Sequence, residues 1–148
     1  MNKDILISNF SERLRELIFD KGLSTEQFAE AVGVAETTVY RWFKTPLQIK
    51  RSNLIKVADF FECLIEYLIG RSEDDTKIIP NKLYPNFVEQ IRKIMKEQNI
   101  STYKFEKTSK FKCSYFFDWQ KYEPALQTLM ELSEYFDCTI DYLIGRDQ

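Results

Sequence analysis

The 148-residue chain contains no histidine and only three cysteines. Histidine is the commonest general base and the commonest nitrogen ligand of metals, so most hydrolytic and metal chemistry loses its usual residues. Cys63, Cys113 and Cys138 form an odd number with no close pair, which gives no support to a disulfide framework or a zinc site. We therefore expect a protein that is not an enzyme and that has no metal and no cofactor.

Long apolar segments are also missing from the sequence. The longest uncharged apolar runs are only a few residues, far below the ~20 that a membrane-spanning helix needs. Near the N-terminus, Ile5-Leu6-Ile7 is too short for the core of a signal peptide, and it is the only stretch that suggests the alternation of a strand. These absences predict a cytoplasmic chain with no membrane partner.

The net charge of −2 argues on average against a nucleic-acid partner. Binding depends, however, on where the charge lies. The stretch 41–56 carries five basic residues and no acidic one, and the stretch 92–112 carries seven basic residues against Glu97 and Glu106. Charge is therefore segregated along the chain, and two basic segments remain candidates for contact with phosphate.

The two halves of the chain repeat each other. Residues 61–71 read FECLIEYLIGR and residues 136–146 read FDCTIDYLIGR, an offset of 75. Earlier landmarks, such as Trp42 and Trp119, keep an offset of 77. A constant offset with one small slip is typical of duplication. The sequence thus predicts two tandem domains, at 1–71 and 84–148, joined by a linker at 72–83.

Each copy is predicted to form five short helices, so that the fold is all-α. In the first helix, Phe10, Leu14 and Ile18 lie on one apolar face. Asn9 is expected to cap its start, and Gly22 is expected to end it in the left-handed conformation.

The next helices of the first copy follow from cap and turn residues. Ser24 is expected to cap the second helix, and Gly33 is expected to supply a positive φ in the tight turn after it. The third helix is predicted at about 36–43, the fourth at 51–60 and the fifth at 64–69.

The stretch 23–42, LSTEQFAEAVGVAETTVYRW, and the closing YLIGR of residues 67–71 resemble the Cro/C1-type helix-turn-helix domains, or xenobiotic-response-element family, of bacterial and phage repressors. The resemblance covers residues 9–71 and 86–146. It implies two tandem five-helix lambda-repressor-like domains, the first DNA-binding and the second divergent. It also implies a sequence-specific transcriptional regulator of bacterial or phage origin, acting as a repressor on double-stranded DNA.

In this family the third helix enters the major groove of DNA. The free face of residues 36–43 and the residue after it then supplies the base-reading side chains, which are Glu36, Thr37, Thr38, Tyr40, Arg41 and Lys44. The starts of the second and fourth helices are placed to contact phosphate through Thr25, Lys50, Arg51 and Ser52.

The second copy departs from this pattern. Lys110 replaces Gly33, so the turn must either place a side chain at positive φ or change shape. Asp118 replaces Arg41, and the third helix is expected to present residues 112–118. Neighbours on a helix are about 100° apart, so three consecutive aromatic residues cannot all face one core. Tyr115 or Phe117 is therefore expected to be exposed.

Two interpretations of the second copy stay open. In one, it has become a surface for dimerisation or for a protein partner, as in an antirepressor or antitoxin-like module. In the other, it still docks on DNA. The candidate contacts in either case are Thr102, Lys104, Lys112, Ser114, Tyr115, Phe117 and Lys121.

Overall fold

The structure is a computed structural model that describes residues 3–80 and 83–146. Over these residues the protein is all-helical, as the sequence predicts, with no β-strand. The chain divides into two compact units, residues 1–80 and 81–148. The division falls inside the stretch 72–83 that the sequence suggests as a linker.

Within residues 3–80, five α-helices and one 3₁₀ turn make up the first unit. They are α1 (Lys3–Asp20), α2 (Thr25–Val32), α3 (Glu36–Lys44), the 3₁₀ turn (Pro46–Gln48), α4 (Arg51–Phe61) and α5 (Ile65–Leu68). The side chains at the centre of its core are almost completely buried, and they include Phe10, Leu14, Phe28, Val39, Leu54, Ile65 and Leu68.

Helix α1 is longer than the sequence predicts. Asn9 lies inside the helix and does not cap it, and Ile5-Leu6-Ile7 is helical, so the suggested strand is wrong. The physical reason is that the apolar face extends back one more turn, because Leu6 is buried together with Phe10. Gly22 ends this helix at a φ of 72°, as predicted.

The turn between α2 and α3 follows the sequence closely. Ser24 caps α2 with a reciprocal pair of bonds, because its hydroxyl accepts from the Gln27 amide at 3.1 Å and the Gln27 side chain accepts from the Ser24 amide at 2.9 Å. Gly33 takes a φ of 78°. Val39 and Trp42 then anchor α3 on the core, with 0% and 3% exposure. The opposite face of α3 is left to solvent.

Within residues 83–146, the second unit also contains five α-helices. They are α6 (Phe87–Glu97), α7 (Thr102–Thr108), α8 (Tyr115–Lys121), α9 (Leu126–Phe136) and α10 (Ile140–Leu143). Its core is aromatic. The ring of Phe105 stacks on Phe111, Phe116 and Phe136 with centroids 5.8–6.1 Å apart.

The connection between α7 and α8 corrects one expectation. Residues 109–114 join these helices, whereas 33–35 suffice in the first unit, so Lys112 and Ser114 precede the helix on which they were predicted to lie. Lys110 lies outside the left-handed region. The turn has therefore changed shape, and Phe111, buried in the core, fixes the longer path.

Both units close with an ion pair between positions five residues apart. Arg71 forms two bonds to the Glu66 carboxylate, at 2.6 and 2.7 Å, and Arg146 Nη1 lies 2.7 Å from Asp141 Oδ1. The side chains of the second pair are each 1% exposed, against 17% and 12% in the first. Removal of either residue of the more deeply buried second pair should therefore lower the free energy of unfolding more than the same change in the first pair.

A hydrogen bond from the first helix of each unit reaches the same closing turn. Arg13 Nη1 donates to the Tyr67 carbonyl at 2.7 Å, and Gln90 Nε2 donates to the Tyr142 carbonyl at 2.9 Å. Positions 13 and 90 are separated by the offset of 77 that the sequence repeat predicts. A charged and a neutral side chain therefore make the same bond at corresponding positions.

The segment after α5 stays attached to the first unit. The Ser72 amide donates to the Glu66 carbonyl at 3.1 Å, and the Ile78 amide donates to the Glu62 carbonyl at 2.9 Å. Between them, Arg13 Nη2 binds the Glu73 carboxylate at 3.0 Å. The first part of the predicted linker is therefore held against the first unit.

Candidate nucleic-acid interface

The face of α3 that the sequence assigns to base reading lies on the surface. Glu36, Thr37, Tyr40, Arg41 and Lys44 are exposed, and Thr38 is half-buried. On the opposite side of α3, by contrast, Val39 and Trp42 are buried. Polar and cationic side chains are thus presented together on one helix.

A recess of about 190 Å³ lies beside this face, between α3, the 3₁₀ turn and the start of α4. Thr38 and Arg41 line it from α3, and Lys50 lines it from the N-cap position of α4. None of the described residues that line it carries a carboxylate. Two cations with hydroxyl and amide neighbours make the recess suitable for an anion such as a phosphate.

Four lining residues are absent from the sequence-based set of contacts, namely Trp42, Thr45, Gln48 and Asn53. Gln48 is exposed on the 3₁₀ turn because Leu47 and Ile49 on either side are buried. That alternation is visible in the sequence and would have indicated Gln48 as an outward-facing group. No comparable signal marks Asn53, whose place in the recess depends on the angle between α3 and α4.

The predicted phosphate contacts differ in their availability. Lys50 is exposed, and Thr25 is half-buried as the first residue of α2. Arg51 and Ser52 are half-buried, and both interact with other groups of the protein. Lys50 is therefore the most accessible cation of this set.

A second depression lies on the other side of α3. This groove, of about 390 Å³, is lined by Arg15 and Phe19 of α1, Thr25 of α2, and Tyr40 and Phe43 of α3, among others. The Arg15 guanidinium sits 4.3 Å from the centre of the Phe43 ring. The structure thus separates Thr25 and Tyr40 from the recess that holds Arg41 and Lys50.

Comparison with known proteins agrees with this arrangement. Residues 13–74 match the Cro/C1-type HTH DNA-binding domain family. The matched span contains α2, and it contains α3, the 3₁₀ turn and the start of α4, which together line the recess. We refer to it below as the HTH domain.

One relative is an uncharacterised HTH-type transcriptional regulator of Haemophilus influenzae. It is 40% identical over 60 residues, which cover 40% of this chain and 25% of the relative. The chain therefore spans about a quarter of the length of this relative. No solved structure matches the chain.

Outside the HTH domain, the second unit places its candidate contacts unevenly. Thr102, Lys104, Lys112, Ser114, Phe117 and Lys121 are exposed. Phe117 is 78% exposed, whereas Phe116 is buried. Tyr115 packs its ring against Phe111 and Trp119 at 6.2 and 6.3 Å, so Phe117 is the exposed member of the aromatic trio.

The basic segment 92–112 is partly engaged within the second unit. Lys110 Nζ lies 2.7 Å from a Glu131 oxygen, and the Arg92 guanidinium lies 4.7 Å from the centre of the Phe116 ring. Lys107 lies over the ring of Tyr103 at 5.6 Å. All seven basic residues of the segment nevertheless remain exposed, and these three have partners within the unit.

Cys113, 77 residues after Glu36 in the sequence, is half-buried. Its thiol donates to the Thr102 carbonyl at 3.4 Å. Burial raises the pKa of the Cys113 thiol, and the nearby Glu106 carboxylate raises it further. The thiol is therefore protonated at neutral pH and acts as a structural contact.

Along the described part of the chain, every helix is too short or too polar to span a lipid bilayer.

Proposed function

We propose that this protein is a transcriptional regulator that binds double-stranded DNA through the HTH domain, with α3 in the major groove. The observation that carries the proposal is the exposed polar face of α3 beside a recess that brings Arg41 and Lys50 together. The family match over residues 13–74 and the name of the Haemophilus influenzae relative support it.

Side-chain chemistry suggests a division of roles on the HTH domain. Lys50 and Gln48 hold a phosphate at the recess, and Arg41 binds either that phosphate or a guanine edge in fork geometry. Glu36 accepts from a cytosine amine, while Thr37 and Tyr40 contact neighbouring base edges. Lys44 adds charge at the end of the helix.

Repression by occupancy is the simplest regulatory action for such a protein. A domain that fills the major groove at an operator excludes other proteins from the same sequence without any further activity. We therefore propose a repressor of bacterial or phage type that works in the cytoplasm.

The second unit is proposed to be a divergent copy of the HTH domain. Support comes from the repeated closing sequence, from the corresponding bonds of Arg13 and Gln90, and from the corresponding ion pairs. Asp118 in place of Arg41 would repel a phosphate backbone, and Arg92 and Lys110 already have partners within the unit. We therefore favour a contact with protein for this unit.

Selection from a randomised duplex pool, read by sequencing, tests the proposal. Wild-type protein is expected to enrich a defined sequence, with affinity that falls steeply as salt rises. Arg41→Ala should weaken binding to that sequence by about 5- to 150-fold, the range for a specific contact. Lys44→Ala should also weaken binding and should lower the salt slope by about one.

Lys77→Ala is the matched control, since Lys77 is an exposed lysine that lies outside both basic segments. It should bind like wild type. Failure of wild-type protein to bind any duplex at low salt would overturn the proposal.

A further inference from the structure

The outer face of α1 is unusual for a solvent-exposed helix. Phe19 is 81% exposed. It lies with Arg15, Glu16 and Asp20 around a shallow depression, next to the groove of about 390 Å³ that Tyr40 lines. Arg15 and Phe19 line both depressions. The exposed Phe19 ring thus has the Arg15 guanidinium beside it on the side of the groove and the carboxylates of Glu16 and Asp20 nearby.

Helix α8 of the second unit presents the complementary set. Phe117 is 78% exposed, and Asp118 and Lys121 are exposed on the same side of the helix. Tyr122, directly after the helix, is 69% exposed. This stripe therefore offers an aromatic anchor with one carboxylate and one ammonium group beside it.

We propose that the groove bordered by Phe19, Arg15 and Tyr40 binds helix α8 of a second copy of this chain. Phe117 would pack against Phe19 in the groove, Asp118 would pair with Arg15, and Lys121 would pair with Glu16 and Asp20. Each exposed aromatic ring is then removed from water, and each charge meets its opposite. A nucleic acid suits the α1 face poorly, because Glu16 and Asp20 would repel phosphate.

Two such contacts can form reciprocally between two copies, which closes the assembly as a symmetric dimer. A single helix in a groove buries less area than a standard stable interface, so we expect a dissociation constant on the order of 10–100 µM.

The contact also bears on DNA binding, and this step rests on the proposed function. Thr25 and Tyr40 line the groove and also belong to the proposed DNA face. Self-association would therefore compete with DNA, and a rise in protein concentration would reduce the fraction of HTH domains free to bind an operator.

Sedimentation equilibrium of the full chain under reducing conditions tests the contact, over about 5–500 µM to bracket the expected affinity. Wild-type protein should pass from monomer to dimer. Phe19→Gln and Phe117→Gln should each raise the dissociation constant by about tenfold or more, as expected for a central aromatic anchor. Both residues are exposed, and circular dichroism should confirm that each variant keeps its helices.

Tyr103→Gln and Ile79→Gln are matched controls, because these side chains are 71% and 89% exposed but lie outside the proposed contact. Both should dimerise like wild type. Arg15→Glu and Asp118→Arg should each weaken the dimer, and the double variant should recover most of the loss because the pair is restored with reversed sign.

A wild-type chain that stays monomeric throughout this range would overturn the inference, as would a dimer unaffected by both glutamine variants. Either result would leave the proposed DNA-binding function intact, since duplex binding at nanomolar protein concentration is measured separately. Conversely, a dimer with the expected variant pattern and no duplex binding would retain the contact and remove its regulatory meaning.

Discussion

Glu62 and Asp137 end α4 and α9 in the left-handed conformation, each at a φ of 53°. This conformation costs an ordinary side chain roughly 1–2 kcal/mol, while glycine adopts it freely but loses more entropy on folding. Glu62→Gly should therefore raise the free energy of unfolding by about 0.5–1 kcal/mol, measured by urea denaturation.

Asp137→Gly should give a smaller gain, because aspartate tolerates the left-handed region better than glutamate does. Glu62→Ala keeps the strain and serves as the control with no gain. If alanine stabilised the protein as much as glycine, relief of backbone strain would not be the cause.

Residue-scale predictions from the sequence succeed where the chemistry of one residue decides the structure. Gly22 and Gly33 take the positive φ expected of them, and Ser24 caps α2. Glu62 escapes prediction because nothing in a glutamate marks a left-handed residue. Asn53 escapes because its contribution to the recess depends on the packing of two helices.

At the scale of the helix, the cap of α2 is a local device whose strength can be measured. Ser24→Ala removes the acceptor of the Gln27 amide bond and should lower the free energy of unfolding by about 1 kcal/mol. Ser24→Asp keeps an acceptor at the same place and should be close to neutral. Chemical denaturation of the three proteins provides the comparison, and equal losses in both variants would contradict a capping role.

The connection between α7 and α8 shows why an element can depart from its counterpart. The sequence indicates that Lys110 disfavours a tight turn but does not choose between strain and a new shape. Burial of Phe111 beside Phe105 makes the choice, because a buried aromatic ring contributes more than a left-handed lysine costs. The shape of this turn could not be predicted from the sequence, because the burial of Phe111 is known only from the three-dimensional core.

For the whole molecule, the two compact units are expected to unfold separately, and the two tryptophans make this measurable. Trp42 lies in the first unit and Trp119 in the second. Asp141→Ala leaves Arg146 without its carboxylate partner and should destabilise the second unit by about 3 kcal/mol.

Fluorescence in two backgrounds checks the prediction. With Trp42→Phe, the Trp119 signal should shift to lower urea in the Asp141→Ala variant. With Trp119→Phe, the Trp42 signal should stay in place. Joint movement of both signals would mean that the units unfold as one cooperative system.

The net charge of the whole chain is a poor guide to the partner of this protein. Net charge argues against a nucleic-acid partner, yet a recess lined by Arg41 and Lys50 lies beside an exposed polar helix. The sequence predicts the helical content of both halves well, because helices depend on short patterns. The exposed surface on α1 could not be predicted, since exposure depends on which faces the fold leaves uncovered. On α8, by contrast, three consecutive aromatic residues already predict that one of them is exposed.

Arg13 and Gln90 differ in how they hold the segment that follows the closing turn of their units. Arg13 donates through one guanidinium nitrogen to the Tyr67 carbonyl and through another to Glu73. Gln90 donates to the Tyr142 carbonyl but is uncharged, so it cannot form an ion pair. The segment 72–78 is thus fastened partly by an exposed ion pair, which dissolved ions screen. The Arg13–Glu73 attachment therefore weakens as the salt concentration rises, whereas the neighbouring backbone hydrogen bonds of Ser72 and Ile78 do not.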